Sequence, residues 1–338
     1  MNFINILNHI LRPLEWVVAQ LLTLFHHALV TFGMTAGPSP GWGIAIMCLV
    51  LVIRICLLPL FLSQMRAMQR IQVLQPQIQR IQHKYAARKD PRSKEAMQRE
   101  IMALQQRYNA NPLGSCLPSL IQAPILCSLF YTLQSLPAIA DGNAEPLGGI
   151  DHTMAGDIES SSIFGVRIAD SFGTVASPQS RIIIGVAVAL MCLTLFAIQW
   201  MLIHRNTSKD AMVSPQFRVQ KMTVFVFPAI YVVSGATLPF GVLLYWLTNN
   251  LWNLGQTLCQ LRWFPTPGSA AGERKARRDY EQDNRRRAAA GLPSLEEERA
   301  MAAREEAKAR REREKSAASR NRKQHKTPHL AKRSIVKR

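Results

Sequence analysis

Four long apolar runs, at about 42–62, 113–137, 182–203 and 222–263, decide what this chain can fold into. About twenty helical residues cross the ~30 Å hydrocarbon core of a bilayer at 1.5 Å per residue. The peptide groups of such a run must satisfy one another in lipid, so each run is expected to be a membrane-spanning helix. The last run is too long for one helix. It is interrupted at Gly235 and again at Leu238-Pro239-Phe240-Gly241, and reads as two spans joined by a tight hairpin. The expected fold class is an all-α polytopic membrane protein with five transmembrane helices, at about 42–63, 113–137, 181–203, 222–238 and 241–262.

Loop charge sets the expected orientation, because basic residues stay on the cytoplasmic side. The 63–112 loop holds ten Lys/Arg against three Asp/Glu, the 137–180 loop one (Arg167) against six, and the 204–221 loop four against one. These loops therefore alternate inside, outside, inside, with the C-terminus cytoplasmic. Residues 1–40 form a separate N-terminal region. Ile4, Leu7, Ile10, Leu11 and Leu14 recur at helical spacing, while Arg12, Glu15, His26 and His27 interrupt the apolar surface. An amphipathic helix lying on the outer surface fits these interruptions and is the favoured reading, while a sixth span with a cytoplasmic N-terminus is also consistent with the charges. The six cysteines fall in or beside apolar runs, where they are expected as small apolar fillers rather than a disulfide framework.

The loop at 64–111 is more than a linker. Ile71, Leu74, Ile78, Ile81 and Tyr85 repeat at 3-4-3-4 spacing, and Met97, Ile101, Leu104 and Tyr108 at 4-3-4. Both are heptad seams, so an antiparallel coiled-coil hairpin is expected. Pro76 should disturb or restart its first helix. Ser93 is the expected N-cap of the second, and Asn111-Pro112 its end. Residues 263–338 form a charged tail with 22 Lys/Arg against 11 Asp/Glu, expected to be a solvated helix or disordered. Its basic charge suits either ribosomal RNA or anionic lipids.

Arg54 stands in the middle of the first run, roughly 12–15 Å from either end. A charge at that depth costs at least ~2.5–3.5 kcal/mol unless it faces protein or water. No Asp, Glu or His lies inside the five expected spans, so an intramembrane ion pair, a proton relay, a metal site and paired-carboxylate catalysis all lack their residues. No glycine-rich phosphate loop is present. Uncharged polar groups remain: Gln122, Ser128, Thr132, Gln134, Thr194, Gln199, Thr223, Ser234, Thr248, Asn249 and Asn250. Taken singly, such residues usually bond between helices. Together with Arg54 they could line a polar groove suited to an acidic or polar peptide segment in transit. Neither a catalytic residue, a cofactor nor a small-molecule substrate is expected.

The stretch Asn111-Pro112-Leu113-Gly114-Ser115-Cys116-Leu117-Pro118, followed by Ile121-Gln122-Ala123-Pro124-Ile125, resembles the YidC/Oxa family of membrane protein insertases. So do the Arg54-bearing span, the glutamine-rich hairpin after it, and the 238–250 stretch of the last span. The resemblance covers about residues 40–262. It implies a bacterial plasma-membrane protein with five helices around a hydrophilic groove, open to the cytoplasm and to lipid and closed outside. Arg54 would be the groove arginine, with Gln199 and Trp246 lining the groove from the third and fifth spans. The implied partners are nascent membrane proteins, the ribosome and the Sec translocon, with activity either alone or beside that translocon. A small transporter or channel, and a purely structural assembly factor, are the alternatives. The first commonly shows internal repeats and a midplane ion site, and neither is found.

Overall fold

The computed structural model describes residues 3–88, 90–108, 110, 117–209, 211–213 and 215–325. The motif at 111–116, including the expected helix end at Asn111-Pro112, lies outside the described residues. The protein is all-α apart from one two-residue β-hairpin. It divides into two units, 1–275 and 276–338.

The first unit opens with α1 (Phe3–Thr31), followed by α2 (Pro40–Cys56) and α3 (Leu58–Val73). The first expected span is α2 and α3 together, bent by 51° at Leu57. Pro59 accounts for the bend. It has no N–H to donate to the Ile55 carbonyl, and its ring collides with that carbonyl. Arg54 therefore sits in the last turn of α2, immediately before a kink, and not midway along a straight helix.

The hairpin follows as α4 (Gln75–Tyr85) and α5 (Pro91–Arg107). Helix α3 stops and α4 restarts around Leu74, with Pro76 in the first turn, where a missing N–H costs nothing. The seam residues Ile71, Leu74, Ile78, Ile101 and Leu104 meet, joined by Ala110. Tyr108 instead points into solvent. The N-cap of α5 is Asp90, not Ser93: the Asp90 carboxylate accepts the Ser93 N–H at 2.8 Å. Pro91 fixes the first helical position, and that moves the cap to the residue before it.

The remaining spans are α6 (Leu117–Ala140), α8 (Pro178–Asn206), α9 (Pro215–Thr237) and α10 (Phe240–Trp263), with α7 (His152–Ser160), β1 (Ser162–Ile163) and β2 (Val166–Arg167) between α6 and α8. Helix α9 runs straight through Gly235. A Cβ there would lie 2.3 Å from Val188 Cγ2, so this glycine lets α9 pack closely on α8 instead of breaking it. The break falls at Leu238-Pro239. The Phe240 and Gly241 N–H groups that begin α10 donate to the carbonyls of Asp170 and Ile168, at 2.7 and 2.9 Å. The acidic 141–177 connection thereby caps the spans.

This connection closes one end of the bundle. Ile150, Ile158 and Ile168 are buried with Val18, Leu22, Trp42, Ile46, Leu49, Leu133, Leu136, Val242 and Tyr245. Ile163 reaches Gly43 of α2 so closely that a Cβ there would lie 2.0 Å from Ile163 Cδ1. Helix α1 packs on the same end. Arg12 pairs with Glu145 at 3.6 Å, Gly148 and Gly149 pass against residues 16–23, and His26 stacks on Trp42 with ring centroids 3.7 Å apart. By length and composition, residues 11–31, 121–140, 178–206 and 219–237 can each cross a membrane, as can the bent pair α2–α3. Helix α10 is not among these, because amides occupy one of its faces. Five cysteines (48, 56, 127, 192 and 259) are free thiols; Cys116 lies outside the described residues.

The second unit holds the rest of α11 (Ala270–Ala289) and α12 (Leu295–His325), so the tail is helical as far as it is described. A reciprocal cap starts α12: the Ser294 N–H donates to Glu297 and the Glu297 N–H to Ser294. Asn284 accepts the Leu295 N–H and joins the two helices.

The α4–α5 hairpin should loosen in acid. Hydrogen bonds from Ser93 hold the Asp90 carboxyl below the usual carboxylate range, and Lys84, at 2.9 Å, does the same for Glu100. The unfolded values lie near ~4, so this stabilisation is complete above ~4 and is lost as pH falls through the lower folded values. Amide-exchange protection over 91–107 is expected to fall below pH ~4, and the D90N/E100Q double variant to flatten that dependence. Equal pH profiles for parent and variant would contradict it.

Candidate functional site

The kink after Arg54 and the amide-bearing face of α10 produce the site together. Arg54 Nε donates to Asn249 Oδ1 at 2.9 Å, and its Nη2 donates to the same oxygen. The bond joins residues 195 positions apart and ties α2 to α10 in the middle of the bundle. One helical turn toward the acidic-loop end, Val50 and Tyr245 are buried in the dry core. Gln122 of α6 donates to the Tyr245 hydroxyl at 2.8 Å. Above this layer the bundle is dry, and below it the bundle opens.

The opening is a cavity of about 420 Å³ lined by Arg54, Gln64, Gln122, Asn253 and Gln256, with Leu57, Leu60, Phe61, Ala123 and Leu126 between them. That volume holds several waters, and its amides can bond them. A second cavity of about 380 Å³ shares Phe61 and Gln64 with the first. It continues toward the basic-loop end past Gln75, Asn206, Gln220, Gln260 and Thr266, beside Met65, Met68 and Phe217. Asn206 accepts the Thr266 N–H at 2.8 Å and ties the segment after α10 to the end of α8.

One stripe of α10 runs through both cavities. Asn249, Asn253, Gln256 and Gln260 follow 4-3-4 spacing and share a helical face. They extend over roughly 16 Å. On other faces of the same helix, Leu251 and Leu258 are exposed and face lipid. The stripe explains why α10 is less apolar than the other spans, and it supplies Asn253 and Gln256 to the first cavity and Gln260 to the second.

Of the residues expected to line the groove, Arg54 and Asn249 are bonded to each other and Gln122 lies on the cavity wall. Trp246 is half-buried between the core clusters and stacks on Tyr231, with centroids 5.0 Å apart, so it lines neither cavity. Gln199 also lies outside both. Among the described residues no α8 side chain reaches the Arg54 cavity; Leu202 and Asn206 line the second one. Gln199 shares their helical face but sits about a turn beyond the cavity's end. Four of the six expected hydroxyls are engaged locally, while the buried Thr132 Oγ1 has no hydrogen-bond partner among the described residues. Ser128, Thr194, Thr223 and Thr248 each donate to a carbonyl three or four residues earlier. Gln64, Asn253, Gln256 and Gln260 are not among the residues expected from the sequence to line the groove, although the α10 amides carry a signal there in their 4-3-4 spacing.

The Arg54–Asn249 bond should be measurable as a coupling. Asn249→Leu leaves the guanidinium without its acceptor and is expected to lower stability by about 1–2 kcal/mol. Arg54→Met in the same chain should recover much of that loss, and thermal unfolding in detergent completes the cycle. Strict additivity of the two substitutions would show that the bond contributes nothing.

The 60Kd inner membrane protein family model matches residues 34–266, the span that contains the bundle and both cavities. A "Membrane protein insertase YidC" of Bifidobacterium longum is 43% identical over 305 residues, covering 90% of each chain. One from Streptomyces avermitilis is 34% identical over 79% of this chain and 61% of its own length. One from Tropheryma whipplei is 30% identical over 81% of this chain and 90% of its own. At 305 residues, the match to the Bifidobacterium longum protein is longer than the 34–266 segment that the family model covers. The multi-pass bundle, its half-open polar interior and these relatives agree: this chain belongs to the 60Kd inner membrane protein family, also called the YidC/Oxa family.

Proposed function

We propose that this protein is a membrane protein insertase and chaperone of the bacterial plasma membrane. The observation that carries the reading is a fixed intramembrane cation, bonded to an amide, at the closed end of a polar cavity. In this reading the basic-loop end is cytoplasmic, as loop charge dictates, and so is the C-terminus. The acidic 141–177 connection is then the outer cap. Helix α1 lies along that outer face, a placement supported by its contacts with residues 41–50 and 131–150.

The energetic logic is simple. Carrying unsatisfied polar groups across hydrocarbon is expensive. A cavity that reaches from the cytoplasm to Arg54 shortens the apolar distance. A short polar or acidic segment of a nascent membrane protein enters past Gln260 and Gln256 and bonds to the amide stripe. Arg54 attracts its carboxylates, and this attraction strengthens where the dielectric falls. The apolar helix that follows leaves along the exposed faces of α6 and α10, and its transfer into lipid drives release. The membrane potential assists an acidic segment moving outward. No step breaks a covalent bond or consumes nucleotide, so the protein acts without enzymatic chemistry or a cofactor. The α4–α5 hairpin stands beside the cavity mouth, where it can meet nascent chains, the ribosome or the Sec translocon. The basic tail adds attraction for ribosomal RNA or for anionic lipid headgroups.

Two measurements test this reading. In liposomes containing the purified protein, Arg54→Ala should slow insertion of a single-span substrate with an acidic translocated segment by about tenfold, a barrier change of ~1.4 kcal/mol. Substrates with a neutral segment should change less; equal rates for parent and variant would remove the charge from the mechanism. For the tail, a chain ending at Lys275 retains the Thr266–Asn206 bond. It should co-sediment with ribosomes several-fold less than the full chain at moderate salt, and unchanged binding would exclude the tail as a ribosomal contact.

A further inference from the structure

The β1–β2 hairpin carries a feature that capping the bundle does not require. Its two-residue turn is Phe164-Gly165, with φ of +54° and +81°. A turn with both central residues at positive φ favours Asn-Gly, Asp-Gly or Gly-Gly. Phenylalanine in the left-handed region is strained, because its Cβ crowds the backbone. Burial does not compensate: Phe164 is 81% exposed, and only Phe32, at 88%, is more so among the exposed large hydrophobic side chains. A strained backbone presenting a bare aromatic ring to water would be unfavourable twice over.

The position of the turn resolves this. Gly165 accepts a hydrogen bond from the Ser180 hydroxyl at 3.0 Å, so the tip lies at the level of the first turn of α8. Two and six residues further along α8, Ile182 and Val186 are 66% and 52% exposed and begin the lipid-facing surface of that helix. Hydrocarbon thus starts about one turn from the hairpin tip. The base of the hairpin is anchored from inside the bundle: Ile163 against Gly43 and Leu244, and Val166 fully buried with Ile184, Phe240 and Leu243. Phe164 projects from this buried base, about one helical turn from the exposed apolar face of α8. Beside it, Arg167 pairs with Asp170 at 2.8 Å yet keeps 63% of its side chain exposed.

We propose that the Phe164-Gly165 turn is an interfacial anchor. Its aromatic ring inserts into the phospholipid leaflet on the acidic-loop side, with Arg167 among the headgroup phosphates. The ring then sits where aromatic side chains are favoured, and lipid provides the contact that the protein does not. The anchor fixes the depth of the cap over the ends of α2, α8 and α10.

The test places p-benzoylphenylalanine at position 164 of the full-length protein in phosphatidylethanolamine/phosphatidylglycerol vesicles. After irradiation, intact-mass analysis should find phospholipid adducts at least about fivefold more abundant than for the same residue at Asn143 in the acidic connection. A cross-link to a second copy of the chain, or yields equal to those at Asn143, would overturn the proposal. If the bulky residue disturbs the turn, a nitroxide on F164C, in a chain whose six native cysteines are serine, reads the same depth. Relaxation dominated by lipid-soluble oxygen supports insertion, and relaxation dominated by a water-soluble nickel complex overturns it.

Discussion

A guanidinium held in the middle of a helix bundle is the constraint on which the rest of this structure depends. In lipid it would cost several kcal/mol, and no carboxylate lies in the spans to neutralise it. The protein meets the constraint with one amide, Asn249, and with a cavity that admits water. Both have structural consequences. Asn249 must face α2, which turns the α10 stripe inward. The water must have a route, and the kink at Pro59 helps to provide it by tilting α3 away from the axis of α2. The polar cavity, the bent first span and the weakly apolar last span are therefore one solution to one electrostatic problem.

The asymmetry of the bundle follows from how its two ends are built. At the acidic-loop end, backbone hydrogen bonds from Phe240 and Gly241, buried isoleucines from the connection, and close packing at Gly43 fill the space between the described helices. At the basic-loop end, α3, α8 and α10 are held apart around methionines and amides, with Asn206 and Thr266 fastening the rim. Among the described residues the cavity ends at the packed layer of Val50 and Tyr245. It can hold a polar segment part-way across, as the proposed insertase function requires.

Much of this was legible in the sequence, and the failures have physical causes. Apolar length located four of the five expected spans, while α10 falls short of that test and residues 11–31 meet it; the isolation of Arg54 among aliphatic residues pointed to a polar interior. The resemblance carried by residues 111–125 and 238–250 pointed to the family. Hydropathy averages over a helix's circumference, so it could not show that Asn253, Gln256 and Gln260 lie on the Arg54 side; only their spacing could. Pro59 was hidden inside a run that looked continuous, because proline hardly lowers apolarity while it bends the backbone. Gly235 read as a breaker, although in a membrane helix glycine more often permits close approach, here to Val188. Ser93 and Asp90 are both capping residues, and only the proline at position 91 decides between them. Gln199, assigned to the groove by resemblance, shares a helical face with Leu202 and Asn206 but lines neither cavity.

The central claim is that water reaches Arg54 from the basic-loop side only. Cysteines substituted one at a time at Gln260, Gln256, Asn253 and Asn249, in a chain whose native cysteines are serine, test it directly in sealed vesicles of known orientation. A membrane-impermeant thiol reagent added on the basic-loop side should label all four, at rates that fall from 260 to 249. The same reagent on the acidic-loop side should label none. Labelling of position 249 or 253 from the acidic-loop side, or no labelling of either from the basic-loop side, would contradict the account.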